Sequence, residues 1–422
     1  MTGLTYTCNM CKSICVLVAL VSVLLHNTAS AKQDKLKVSG FGTLATATAD
    51  TSTYQFRTDR SQAALAKKDG FAFKPLSLLG LQVDYRFTDR LDFVGQFVYR
   101  EQDRQNIDSV TQMAFLRYEI SPSWQLRAGR VAADIFHFSD TRDVSIAYPW
   151  VKVPTEVYGI VPARSFDGTD VSYLKPFENF NLSIKGFWGQ GESDFTSNAY
   201  RPITFKNLST IGVELVSFDW SVSLKHTQTE ANDDSPDAAF IAPAVAQLQP
   251  LWSGASAFAD KVTLRGADIH YTSFYFNRLW HDWEFSGEVA HIDSNSIALR
   301  HSINGFLNAS YFYGAHTFYA MYSFANADAY FLAQEEPGFP INAATAELAL
   351  FVDEVANSLA HNQQTVSVGW RWDLKENLAF KVQLERTDIE ARGGGLRARD
   401  GLIATSEDGT AHTLFFALSF SF

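Results

Sequence analysis

Residues Thr413 to Phe422 alternate in polarity: Leu414, Phe416, Leu418, Phe420 and Phe422 share one parity, and Thr413, Phe415, Ala417, Ser419 and Ser421 the other. Successive side chains of a strand point to opposite faces, so this segment makes a strand with one apolar and one mixed face. The period recurs in Leu81, Val83, Tyr85 and Phe87 against Gln82, Asp84 and Arg86, and in Leu91, Phe93, Gly95, Phe97 and Tyr99 against Asp92, Gln96 and Arg100. It returns in Val366, Val368, Trp370, Trp372 and Leu374 against Ser367, Arg371 and Asp373, and in Leu378, Phe380, Val382 and Leu384 against Lys381, Gln383 and Glu385.

Composition says which kind of β-protein this is. Aromatics make up 14% and charged residues only 19% of the chain, yet the mean hydropathy is −0.10. Fine alternation of apolar and polar residues reconciles these values. An antiparallel transmembrane β-barrel requires such alternation, with lipid on one side of each strand and water on the other. A soluble sandwich also alternates but has no need for so many tyrosines and tryptophans at strand ends. No apolar run long enough for a spanning helix occurs beyond the N-terminal segment. The net charge of −11 argues against nucleic acid as a partner.

At the N-terminus, Lys12 precedes an apolar run from Ile14 to Leu25, and Ala29-Ser30-Ala31 follows. This is the pattern of a secretory signal peptide, expected over residues 1–31 with cleavage after Ala31. A single barrel domain is expected over 32–422. All three cysteines, Cys8, Cys11 and Cys15, lie in the leader, so Cys8-x-x-Cys11 reads as neither a redox nor a zinc motif.

The connections alternate in length. Short polar turns stand at 88–90, 121–123, 176–179, 217–219, 277–281, 314–315 and 375–377. Longer stretches cover 50–76, 102–108, 138–166, 192–202, 231–260, 294–300, 327–363 and 391–409. Short periplasmic turns and long outer loops are the asymmetry of outer-membrane barrels. Eight loops and seven turns imply sixteen strands with both termini in the periplasm. Segments 201–218 and 299–329 divide less cleanly and leave fourteen or eighteen open. Two loops are long enough for helices: 343–360, where Leu348, Phe351, Val352, Val355 and Leu359 share a helical face, and 231–260, where Pro243 suits a helix start. Simple packing of these loops on one another is the other reading.

The third long connection carries Asp140, Asp143, Tyr148-Pro149-Trp150, Pro154, Glu156, Tyr158-Gly159 and Pro162. Its prolines cannot donate to a strand ladder, so it is not barrel wall. It is more apolar than a solvated loop should be, and the barrel lumen offers it a place to bury.

With these features the chain resembles the general trimeric porins of Gram-negative outer membranes. Val38-Ser39-Gly40-Phe41-Gly42 looks like that family's first strand, Gly129-Arg130 like the pair leading into its third loop, and Phe422 with Phe420 and Leu418 like its C-terminal assembly signal. The loop tip departs from the family pattern, offering only Pro154 to Gly159. The resemblance implies a third loop folded into the pore, passive diffusion of small hydrophilic solutes and ions, and a homotrimer in contact with the bilayer and lipopolysaccharide of the outer membrane. It also implies a constriction between loop carboxylates and wall cations. The candidates are Arg86, Arg100, Arg117 and Arg127, one from each of strands two to five on the parity opposite the lipid-facing set, with Arg130 adjacent. The facing acids are Asp140, Asp143 and Glu156. Any of the arginines alternatively pairs with a wall acid such as Asp84, Asp92 or Glu119.

Two other functions are weighed. A selective channel uses the arginines for anions such as phosphate, or Tyr148, Trp150 and Tyr158 as a stacking track for sugars. An outer-membrane enzyme needs a convergent Ser, His and orienting residue. His226, His270, His281, His291, His301 and His316 are scattered, and His291-Ile292-Asp293-Ser294 are only sequence neighbours. Neither a catalytic motif nor a cofactor motif is present. Asp233, Asp234 and Asp237 lack the spacing of a calcium loop.

Overall fold

A computed structural model describes residues 35–422 apart from 63–65, 67, 69, 103–104, 194–201, 235, 298, 329–335, 337, 340–341, 358–359, 395 and 400–407. The expected leader, residues 1–31, lies outside the described residues. The chain forms sixteen barrel strands: β1 Leu36–Ala49, β2 Leu78–Thr88, β3 Leu91–Arg100, β4 Thr111–Ser121, β5 Trp124–Ala132, β6 Ser165–Pro176, β7 Asn181–Ser193 and β8 Ile203–Val216. They continue as β9 Trp220–Ala231, β10 Asp268–Trp280, β11 Trp283–Ser294, β12 Ser302–Tyr313, β13 His316–Ala327, β14 His361–Lys375, β15 Leu378–Gly394 and β16 Gly409–Ser421. Each strand pairs antiparallel with its sequence neighbours. The barrel closes where β1 meets β16, from Phe41 opposite Ser421 to Ala49 opposite Thr413. Closure leaves no unpaired edge, which hydrocarbon could not satisfy.

Register decides what each parity faces. Leu44, Leu116, Val289, Leu307 and Val366 are exposed on the outside, whereas Gln96, Ser273, Glu288, Asn308, Thr365 and Gln383 on the other parity are buried within. On β16 the outward set is Leu414, Phe416, Leu418 and Phe420, as the alternation predicts, and Phe422 continues it. The rings of Phe422 and Phe420 lie across Gly40 and Gly42. A Cβ at those glycines would stand 2.2 and 2.5 Å from ring carbons, so only glycine lets the rings lie flat on the wall.

Seven connections of two to four residues lie at one end and eight longer ones at the other. Tyr85, Phe87, Trp124, Trp280, Trp283, Tyr313 and Trp372 are exposed at the short-turn end, forming an aromatic girdle. No helix among the described residues is long and apolar enough to cross a membrane. The long loops carry helices Pro236–Ala246, Ala255–Val262 and Ala346–Ala356. The first opens at Pro236 rather than at Pro243, which sits inside it. Trp252, Phe258, Phe339 and Val352 pack together over that end. Tyr54–Gln55 pairs with Ala398–Arg399, tying the first loop to the eighth.

Candidate functional site

The connection from 133 to 164 leaves β5, crosses the lumen and returns into β6. Ile135, Phe136, Tyr148, Trp150, Val157, Tyr158 and Ile160 are buried in the main apolar cluster, which explains why so apolar a loop turns inward. Pro154 opens the single helical turn Thr155–Tyr158, its carbonyl accepting from the amides of Val157 and Tyr158.

Polar groups of the far wall hold this loop. On β15, Lys381 donates to the carbonyls of Tyr148 and Trp150 at 2.7 Å each. On β14, Arg371 donates to the carbonyls of Ile146 and Tyr148 at 2.9 Å. The Trp150 indole donates to Asn308 on β12 at 2.9 Å, and the Val151 amide to Gln383 at 2.9 Å. Lys152 pairs with Glu385 at 2.8 Å. The Tyr158 hydroxyl donates to Glu288 on β11, which also accepts from the His137 amide at 2.9 Å. The His137 ring stacks on Tyr275 of β10 with centroids 3.5 Å apart. Burial and the Lys225 ammonium push His137 down to about 3, so the stacked ring is neutral.

The loop therefore lies against β9 to β16, and the wall beneath it is shut from solvent: Lys381 is 0% and Glu288 1% exposed. Elsewhere on the inner face Arg117, Lys185 and Arg127 keep 36%, 24% and 20% side-chain exposure. The accessible part of the lumen follows β2 to β9.

The expected constriction residues divide. Register keeps Arg86, Arg100, Arg117 and Arg127 on the inward parity. Arg86 is exposed beside the short turn at Thr88, far along its strand from the loop. Arg117 pairs with Asp92 of the neighbouring strand at 3.1 Å. Arg127 chelates Asp170 at 2.9 and 3.0 Å and lies over the Phe115 ring. Arg130 is a correction: it stands opposite Ala114 on the outward parity and binds Asp108 and Asp167, each at 2.7 Å, outside the lumen. Gly129, with φ of 129°, precedes it without moving it to the inner face.

Among the acids, Asp143 alone meets an expected arginine, with Arg100 Nε 3.9 Å away and Arg164 closer at 2.9 Å. Glu156 is a second correction: it faces β13 and β14, accepting from Gln363 and Thr365 at 2.6 Å and from Ser323 at 2.8 Å. Burial raises its pKa, but Lys152 and those donors overcome it and hold the carboxyl below its usual range. Asp140 keeps an exposed tip inside the barrel, where desolvation and the Asp134 carboxylate raise its pKa despite Lys225 and Lys185.

Sequence reasoning missed Lys185 on β7 and Lys225 on β9, which both bind Asp134, Lys185 at 2.7 Å. Their inward parity was readable from alternation, but the Asp134 between them was not. Tyr148, Trp150 and Tyr158 are 4%, 1% and 2% exposed, so they offer no stacking track for a sugar.

No known family profile matches the chain, and no curated protein does. Solved structures do. The outer membrane channel DcaP of Acinetobacter baumannii aligns at a TM-score of 0.52 with 10% identity over 94% of this chain and 100% of its own. The anion-selective porin of Comamonas acidovorans aligns at 0.51 with 11% identity over 92% and 99%. Salmonella typhi OmpF, in complex with daunomycin, aligns at 0.51 with 10% identity over 92% and 97%. At such identities the likeness is one of fold: this chain is a closed sixteen-stranded barrel of porin type.

Proposed function

We propose that the chain is an outer-membrane porin that lets small hydrophilic solutes and ions diffuse passively through a water-filled channel. It is exported from the cytoplasm of a Gram-negative bacterium with residues 1–31 as a cleaved leader, and assembles as a homotrimer in contact with lipopolysaccharide. The observation that carries the reading is the seating of the third loop. It is fastened to β9–β16, while charged side chains of β2–β9 remain exposed inside a barrel whose outer face is apolar.

The passage is bordered by Arg117, Arg127, Lys185 and Lys225 together with Asp92, Asp134, Asp140 and Glu214. Cations and carboxylates stand as neighbours there, not on opposing walls, so their fields partly cancel and selectivity is weak. Purified protein in a planar bilayer should give stepwise, ohmic conductance with a reversal potential near zero under a salt gradient. Absence of steps from protein that retains its heat-resistant β-structure overturns the reading. A mass in mild detergent corresponding to one protein chain overturns the trimer alone.

A further inference from the structure

Arg130 looks out of the barrel six residues beyond Trp124 on β5, and Trp124 belongs to the aromatic girdle of the short-turn end. A strand rises about 3.3 Å per residue and tilts about 45°, so Arg130 lies roughly 14 Å above the girdle, near the middle of an apolar band about 25 Å tall. Asp167, opposite it on β6, shares that height and pairs with it at 2.7 Å. Over the same six residues above the girdle, β14 shows only Trp372, Trp370, Val368 and Val366 on its outer face. The wall is also low at Arg130: β5 has nine residues, whereas β14 and β15 have 15 and 17.

The second loop comes down onto this charge. The carboxylate and the main-chain carbonyl of Asp108, in the helical turn Ile107–Val110, accept from Arg130 Nη1 at 2.7 and 3.0 Å. Asp108 and Asp167 still keep 51% and 48% side-chain exposure. Half-exposed carboxylates and irregular backbone persist at membrane depth only where protein or a water-filled cavity covers them, and the outer face has no cavity. Beside the charges the surface is shallow, with Ala114, Ala128 and Thr169 on the outward parity between Leu116 and Trp188.

We propose that the outer face of β4–β6, with the second loop on it, is the seam where a second copy of this chain packs within the homotrimer. The inference rests on the trimer reading and adds which wall is joined. Charges of both signs stand side by side in the patch, so it suits a copy of itself: about a three-fold axis the open carboxylate oxygens of one copy meet a guanidinium of the next. The small side chains of Ala128 and Thr169 let the walls approach, and packing takes the charges out of lipid.

All three cysteines lie within residues 1–31, so single cysteines can be placed and spin-labelled in the mature chain. Ala128→Cys and Leu307→Cys stand at one height on the outer faces of β5 and β12, each four residues above the girdle level of Trp124 or Tyr311. In lipid vesicles, oxygen dissolved in the hydrocarbon should relax the label at 307 strongly and the label at 128 weakly. A labelled Ala128→Cys that runs as one chain in mild detergent, while labelled Leu307→Cys runs as three, also supports the seam. Equal relaxation at the two sites in protein that runs as three chains overturns the seam and leaves the trimer standing. A one-chain mass for the unmodified protein overturns both. Arg130→Ala should lower the temperature at which the trimer separates, and Arg386→Ala, on the outer face of β15, should not. A drop for Arg130→Ala no larger than that for Arg386→Ala overturns the proposal as well.

Discussion

Lys381 and Trp150 come from the barrel wall and from the loop inside it, 231 residues apart, and meet at 2.7 Å through the ammonium and the main-chain carbonyl. The same ammonium takes the carbonyls of Ser145 and Tyr148. One buried cation thus gathers three acceptors that the strand ladder cannot satisfy, in a segment kept irregular by Pro149 and Pro154.

Replacing Lys381 by Met keeps much of the side-chain volume and leaves those carbonyls unmet. The loss should be about 1–3 kcal/mol of local stability. Single-channel recordings should show larger and noisier steps, because the loop no longer holds its place against the far wall. Steps unchanged in size and noise would falsify the anchoring role.

Arg117, Arg127 and Lys185 face the lumen, and Arg130 faces outward. Changing the first three together to glutamine should move the reversal potential toward cation selectivity at 0.1 M salt. The shift should shrink at 1 M, where the screening length falls to about 3 Å. Arg130→Gln should leave the reversal potential unmoved. An equal shift from Arg130→Gln means that the inward and outward assignments are wrong.

Glu156 belongs to the loop's seat, not to the channel. Glu156→Gln should lower the unfolding midpoint, since Lys152 loses a neighbouring charge and Thr365 a charged acceptor worth about 1.5–3 kcal/mol. Ion selectivity at low salt should stay within error of the wild type. A clear move toward anions would put Glu156 back at the channel.

Asp59 and Asp140 have opposite pH signatures. Desolvation raises the Asp59 pKa, but Arg164, Arg100 and Arg142 outweigh it and hold the carboxyl well below its usual range. Its stabilisation is present above the unfolded value near 3.9 and is lost as pH falls through the depressed folded value. Asp59→Asn should therefore lower the unfolding midpoint at pH 7 and flatten its decline below about pH 4. The Asp140 pKa is raised, chiefly by desolvation. It takes up a proton at a pH above the ordinary carboxylate value as the solution is acidified, and the lumen then loses a negative charge. The selectivity of the wild type should move toward anions over that range, and Asp140→Asn should remove this part of the change.

Much of the barrel was legible in the chain. Alternation set which face of β16 looks outward, and the lengths of the connections pointed to sixteen strands with fourteen and eighteen left open, a choice the closed barrel settles. The inward parity of Arg86, Arg100, Arg117 and Arg127 followed too, because a period of two is a local property of the backbone. Arg130 obeys the same rule: it lies three residues after inward Arg127, and the ladder runs unbroken through Gly129, so it faces outward.

The fold class, the inward and outward sets and the burial of the third loop all follow from polarity along neighbouring residues. Where that loop lies follows from contacts between distant ones. Glu156 was drawn to Gln363 and Thr365, 207 and 209 residues away, and the arginines of β4 and β5 to Asp92 and Asp170 on adjoining strands. Strand pairing and loop docking bring such partners within hydrogen-bonding distance. A charge under partial desolvation takes the nearest opposite charge or strong donor, and that neighbour is set by the closure of the barrel and the docking of the loop, not by spacing along the chain.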